Sequence, residues 1–578
     1  VARRARLLVD AGPTIEFAND LIREILYRTT PAAARTARHR RAAALLEGNP
    51  EAAATHAAAA GDWARAFDAW IQAAGRAESR FANRDAEWML DRALEAARAV
   101  DDQPGQAHAL LARGRAREAL ADYPGAHQDN LGALDLARRA GARDVEMRAL
   151  RALGGDPLIG MGRPASESLP YLEDALGLAA ELSDRRAEVD VLRRMAVIRS
   201  NQLRFDLAYE YAGRAVRLAR EMGDPRVVAV ALDGLKTAAA YSGDLGTLES
   251  ILPELERILR QQGEVWHLQW ALFESSFPPM ARGEWERAVK RIGEALSANR
   301  RIGIRTFEPM FVAHLAWIDR SRGQYGPALE LARQAVDMAD EVGHPWWEAF
   351  TEALLGGLLI ELHSLDRAAP HVERGLRAAE RGGAESYLVR CLGLGALAAW
   401  LRGDPPYALE LLERVEAILA AVVTPTGRVF LHGFDAYLAA PRVRLEMGDV
   451  EWAEALVAPL LAEAEAGGWR EAAVRAAILG GRCRTVAGDP DGAESLLLRA
   501  LEGAEATAVP GAAWEAHAAM ARVERARGRE DRAAGHVAAA RGIIDALAAA
   551  IPEAETRRRY VKGARGALAS SATGPSPV

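Results

Sequence analysis

The groups that could do chemistry in this 578-residue chain are few and scattered. None of its twelve histidines falls in His-Glu-x-x-His spacing, which would set two imidazoles on one helix face for zinc. His363 and His371 flank a helix-pair turn and stand too isolated to act as ligands. No Gly-x-Ser-x-Gly is present to hold a nucleophile on a strained turn. Asp101-Asp102 runs into Gln103-Pro104-Gly105 and reads as a solvated turn, not a metal box. Cys391 and Cys483 lie alone and far apart, which gives neither a disulfide framework nor a zinc spacing and fits a reducing cytoplasm. Of 73 basic residues only Lys236, Lys290 and Lys562 are lysines, and none sits in Gly-x4-Gly-Lys-Ser/Thr, the loop that cradles phosphates. The expectation is a non-catalytic chain with no metal and no cofactor of its own.

Composition narrows the class. Half of the residues are apolar but only 6% are aromatic, and Ala, Leu, Arg and Glu dominate. Those are helix formers; a mainly β protein and a disordered chain are both excluded. The net charge of −7 and a pI near 6.0 do not suit a chain built to neutralise phosphates. Residues 1–41 hold nine arginines and four acids, but Arg35, Arg38, Arg40 and Arg41 lack the interleaved aromatics of a nucleic-acid groove. They read as a solvated helix face or a contact with a further module. The charge-free stretches Cys391–Leu401 and Ala417–Gly427 have eleven residues each, short of the roughly 18–20 that span a bilayer. Leu7-Leu8-Val9 is cut off by Asp10, so no export signal is read, and a start at Val1 reads as a fragment or an internal start.

A repeat organises the elements that would have to position any site. Leu203, Gly243, Gly283, Gly323, His363, Gly403, Gly448, Gly488 and Gly528 are 40 residues apart, except one step of 45. Gly61, Phe81, Ala121 and Gly162 continue roughly in phase with one half-length step, and a second comb falls midway at Gly223, Gly263, Gly303, Gly343 and Gly383. Gly403-Asp404-Pro405, Gly488-Asp489-Pro490 and Gly223-Asp224-Pro225 each read as helix stop, N-cap and first turn. Helices of roughly 16 residues, about 24 Å long, are predicted between the stops, as in Trp266–Arg282 and Ala328–Val342. A hairpin of two such helices cannot bury its own apolar face, whereas stacked hairpins can. The prediction is an all-α fold, an α-solenoid of about twelve tetratricopeptide-like hairpins with a period near 40, against about 34 in the common motif. Small residues at Ala288, Ala295, Ala328, Ala335 and Ala408 resemble that motif, and the recurring Gly-polar-aromatic-x-x-Ala turn, as in Gly283-Glu284-Trp285 to Ala288 and Gly323-Gln324-Tyr325 to Ala328, favours it over the HEAT-type alternative.

Both ends carry a sharper likeness. Phe17-Ala18-Asn19-Asp20-Leu21-Ile22-Arg23-Glu24-Ile25-Leu26-Tyr27, then Pro31 and His39-Arg40-Arg41-Ala42-Ala43, resembles the junction between ATPase and helical repeats in large bacterial signal-transducing ATPases. These include LuxR-type ATP-binding transcriptional regulators and adenylate-cyclase-like ATPase-repeat proteins. Gly61-Asp62-Trp63-Ala64-Arg65-Ala66 and the run from Ile543 to Tyr560 fit the same pattern, while Asn19 stands where that family has His. The repeat is expected over 49–550 as a superhelix, and 551–578, ending in Ser570-Ser571-Ala572-Thr573-Gly574-Pro575-Ser576-Pro577, as a cap and disordered tail; the resemblance implies residues 1–48 as a remnant of a winged-helix-like module and linker helix. It also implies a regulatory arm in signal transduction or transcriptional control.

The expected function is recognition of a protein or small-molecule effector in the solenoid groove, biasing an upstream ATPase in cis; a free-standing tetratricopeptide adaptor is the alternative. An α/α-toroid enzyme would need clustered acids in a closed ring. Trp266, Trp346, Trp469 and Trp514, at first-helix starts, are expected to pack between repeats. Trp346 and Trp347 point about 100° apart, so one of the two is the candidate for the concave binding surface. Pro278-Pro279 is expected to distort its helix, Pro441 likewise, and Thr424-Pro425-Thr426-Gly427 to lengthen a loop.

Overall fold

The computed structural model describes residues 8–11, 14–17, 19–155, 158, 161, 163–303, 305–422 and 433–570. The loop expected at 424–427, the anchor at Gly162 and the tail beyond residue 570 lie outside them. The chain divides into two compact units, residues 1–152 and 153–578.

The punctuation is a string of backbone turns. Every described anchor of both combs has positive φ, including the non-glycines Phe81, Ala121, Leu203 and His363. Asp101, Gly141, Ser183, Gly468 and Ala508 share that conformation and continue the 20-residue rhythm. The half-length step in the sequence pattern is therefore only a change from one comb to the other. A left-handed residue ends a helix because it turns the chain while its amide still reaches back to the last carbonyls. At Asp404 and Asp489 the carboxylates then accept from Tyr407 N at 3.3 Å and Gly492 N at 2.9 Å, with Pro405 and Pro490 opening the next helix.

Residues 1–152 begin with an antiparallel hairpin, Leu8–Ala11 with Thr14–Phe17, followed by helices Asp20–Thr29 and Ala32–Leu45. His39 links these helices to the first repeat. Its Nε2 lies 3.0 Å from the Tyr27 hydroxyl and its Nδ1 2.9 Å from Nδ1 of His56. Arg35 packs on the Tyr27 ring, whereas Arg38, Arg40 and Arg41 are exposed. Helix pairs from Pro50–Ala59 and Trp63–Glu78 onward then stack in order.

In residues 153–578 several first helices, Pro225–Ser242, Pro345–Glu361 and Glu385–Leu401 among them, are buried on nearly every side. In Pro345–Glu361, all but Glu348 and Glu361 are buried. Second helices such as Tyr325–Val342 keep an exposed stripe. Ala288, Ala295, Ala328, Ala335 and Ala408 are all at 0% exposure, the close-approach positions that the repeat requires. The proline pair begins a new segment: Val265–Glu274 stops, Ser275 and Ser276 turn their hydroxyls to the Leu272 and Phe273 carbonyls at 2.6 Å each, and Phe277–Arg282 resumes with Pro278 and Pro279 in its first turn. Pro441 lies inside the helix Phe434–Glu446.

Hairpins lean on more than the next in line. Trp285 reaches Thr507, and a side chain at Gly323 would collide with Leu547 and Pro510. Glu553 pairs with Arg333 at 2.6 Å and Arg367 at 3.0 Å. Those arginines, Arg333 first, hold its carboxyl down to about 2. The spiral thus closes on itself, one superhelical turn seated on the last, which strict nearest-neighbour stacking does not require.

Candidate functional site

Because the turns touch, the inside of the spiral in residues 153–578 is a filled axis and not an open channel. From Trp270 to Tyr387 it is packed with aromatic side chains. Phe277 and Phe350 stack on either side of buried His314, and Arg390, 1% exposed, is sandwiched between the Trp317 and Phe350 rings at 4.7 and 4.6 Å. Lys236 is buried between Asp233 at 2.8 Å and Glu274 at 2.6 Å. Burial pushes the Glu274 carboxyl up to about 7 even beside that ammonium.

Beyond this plug the axis opens into a cavity of 340 Å³. Its walls come from Glu308–Ser321, Pro345–Glu361, Glu385–Leu401, Phe434–Glu446, Arg470–Val486 and Pro510–Ala526. Leu394, Leu397, Leu401, Leu438, Ile478, Leu479 and Trp514 make most of the surface apolar; charged side chains project from the same first helices. A volume of this size suits a small organic ligand or the end of a peptide.

The charges divide into two groups. At the inner end, Arg320 Nε donates to Glu361 at 2.7 Å and Nη1 to Asp435 at 3.4 Å. Arg390 adds a 2.7 Å ion pair to Asp435, and Arg475 pairs with Glu471 at 2.9 Å. The Tyr325 hydroxyl donates to Glu361 at 2.7 Å. Burial alone would raise Glu361 and Asp435, yet the arginines hold both below the ordinary carboxylate range. Ionised and engaged, neither carboxyl is poised near neutrality for proton transfer.

At the outer end Glu446 serves two arginines, Arg442 and Arg482, at 3.2 Å each, and accepts from Trp400 Nε1 at 2.8 Å. Arg522 shares this wall, exposed on one side, with no ion pair or hydrogen bond among the described residues. Its pKa is lowered, first by desolvation and then by the like charge of Arg482. Burial, and then the nearby Arg442, likewise lower His363 on the same lining.

Trp346 and Trp347 lie in the filled axis, 7% and 5% exposed, and neither lines the cavity. Trp346 Nε1 donates to the Gly382 carbonyl at 3.0 Å; Trp347 stacks on His344 at 4.8 Å between ring centroids. Trp469 and Trp514 are buried as well, and Trp266 is half-buried. His371 pairs with Glu352 at 2.6 Å, away from His363. Burial pushes the Cys391 thiol up to about 12 and the Cys483 thiol to about 11, far from nucleophilic use. Among the described residues no three His, Cys, Asp or Glu side chains could hold a metal ion together, and no helix is long and apolar enough to cross a membrane. Sequence reasoning missed the cavity arginines. In a chain with 70 arginines their only signal was the first-helix position, and which of them converge is set by the pitch of the spiral.

No protein-family model and no curated protein matches the chain. Among solved structures, the APC/C hetero-tetramer Cut9–Hcn1 matches 93% of this chain and 98% of its own at 12% identity, with a TM-score of 0.50. A Rap protein complexed with competence and sporulation factor matches 63% of this chain and 99% of its own at 12% identity and TM-score 0.44. A Signal Transduction ATPase with Numerous Domains from Pyrococcus horikoshii, which carries a tetratricopeptide repeat sensor, matches 59% of this chain and 52% of its own at 15% identity and TM-score 0.35. The likeness is one of fold: the chain is a tetratricopeptide-like α-solenoid.

Proposed function

We propose that the chain is the recognition arm of a signal-transducing ATPase and takes its effector in the axial cavity. The observation that carries this reading is where the cavity walls come from. Glu308–Ser321 and Pro345–Glu361 belong to one superhelical turn, and Arg470–Val486 and Pro510–Ala526 to the turn seated on it. A ligand held between them binds best at one spacing of the turns, so it can shift the pitch by as much as its affinity differs between pitches. Such a change can be read by a module joined to the arm.

The N-terminal helix supports a partner module. No residue of Asp20–Thr29 is buried, and Leu21, Ile25, Leu26 and Tyr27 are exposed at 64, 53, 46 and 47%. A helix with that much bare apolar surface is stable when something packs on it. The junction sequence points to an ATPase as that partner. Reading the DNA in frame upstream of Val1 tests the assignment: a Gly-x4-Gly-Lys-Ser/Thr segment is expected, and an immediate stop codon would replace it with the free-standing adaptor. The absence of a phosphate loop in the chain itself is what keeps the adaptor as the second reading.

A further inference from the structure

Resting on the axial cavity as the effector site, we infer that the effector is an amphipathic anion whose carboxylate or phosphate head sits among Arg442, Arg482 and Arg522. Three guanidiniums on this wall share one carboxylate, Glu446, while the inner arginines each have carboxylates of their own. Arg482 and Arg522 repel each other, and Arg522, although it feels the Glu446 charge, makes no ion pair or hydrogen bond among the described residues. An incoming anion would relieve that repulsion and take the open donors of a planar fork, the geometry for which guanidinium is best suited. Glu515, the remaining acid of the lining, lies two helical turns from Arg522 and interacts with Arg475, so it does not neutralise this end. Between the two ends Leu397, Leu401, Leu438 and Leu479 offer an apolar wall for a hydrocarbon body.

The cavity is large enough to hold a medium-chain acyl or alkyl group, and the charge surplus at one end fixes its direction. A cationic or neutral amphiphile of the same length would bury the same chain and leave the arginines without an anion.

Calorimetric titration of the full chain tests this with decanoate, decyl phosphate, decanol and decylammonium. The two anions are expected to bind, and the preferred one identifies the head group. Decanol and decylammonium are expected to bind about tenfold more weakly or worse. Arg522→Gln, which breaks no hydrogen bond or ion pair among the described residues, should weaken anion binding about tenfold with an unchanged melting temperature, and Glu446→Gln should strengthen it by removing the competing carboxylate. Decanol binding as tightly as decanoate, or Arg522→Gln leaving anion affinity within about twofold, would overturn the inference. Ala518→Trp, which fills the cavity, separates this failure from that of the site itself. If it abolishes binding of a neutral amphiphile, the cavity stands and the anion preference falls. If anions bind equally well to a folded Ala518→Trp, the cavity is not the site.

Discussion

The indole Nε1 of Trp285 donates to the main-chain carbonyl of Thr507 at 2.7 Å, 222 residues along the chain, and Trp469 makes the same bond to Gly243 at 3.2 Å, 226 residues back. Both acceptors are at helix C-termini, where the last carbonyls have no partner within their own helix. A side chain on one turn of the spiral thus completes the hydrogen bonding of another. Trp285→Phe keeps the ring in its buried place and removes only the donor. It should cost about 1–3 kcal/mol in urea unfolding, because a buried carbonyl is left unpaired. No measurable loss would mean that this bond does not hold the turns together.

Removing residues 283–322 deletes one whole period, and in a simple solenoid it would leave the remaining interfaces intact. Here it removes Trp285 and shifts the Gly243 and Trp469 partners out of phase by a full pair. The variant is expected to stay soluble and helical by circular dichroism but to unfold in a broadened, multi-step transition at lower denaturant. A single sharp transition matching the full chain would show that turn-to-turn contacts add little.

Acid should weaken the axis through its buried histidines. Burial pushes His344 and His314 down to about 3 from the ordinary 6.5, so each is neutral when folded and takes up a proton on unfolding at lower pH. Their contribution is complete above pH 6.5 and is lost as pH falls toward 3, at about 1.4 kcal/mol per unit for each ring. His344 caps Pro345–Glu361 by accepting from Trp346 N at 3.3 Å. His344→Asn keeps a capping acceptor and removes the titration. The slope of stability against pH below 6.5, from urea midpoints, should flatten by about that amount.

Left-handed residues that are not glycine mark sites of easy stabilisation. Ala121 has φ of 61°, where a Cβ costs about 1 kcal/mol, so Ala121→Gly should raise stability by roughly that much. Gly223 has φ of 70° and no atom within 4 Å of an added Cβ, so Gly223→Ala should lower stability by a similar amount through the backbone alone. Equal melting temperatures for both variants and the parent would contradict the turn assignment.

Arg390 and Asp435 form an ion pair with both side chains buried, 1% and 6% exposed. Arg390→Met leaves Asp435 with the 3.4 Å pair to Arg320 and the weaker influence of Arg475, and should cost about 3 kcal/mol or more. Adding Asp435→Leu should recover much of that loss, since no uncompensated charge then remains in the axis. A double variant no more stable than Arg390→Met would show that packing around the guanidinium, not charge, is what matters there.

The repeat, its period and its chain punctuation were legible in the sequence because they are local. A left-handed residue, an aspartate cap and a proline within four positions determine where one helix stops and the next begins. Even Leu203 and His363, which lack glycine's freedom, could be placed by spacing, and they adopt φ of 55° and 54°. The turn-on-turn seating, the filled axis that takes in Trp346 and Trp347, and the meeting of Arg442, Arg482 and Arg522 could not be read this way. They depend on the small rotation between neighbouring pairs, set by how side chains interlock across each helix interface. Summed over a full turn, that rotation decides which distant residues meet. No short stretch of sequence encodes such a sum, so the repeat was visible one residue at a time and the site only in three dimensions.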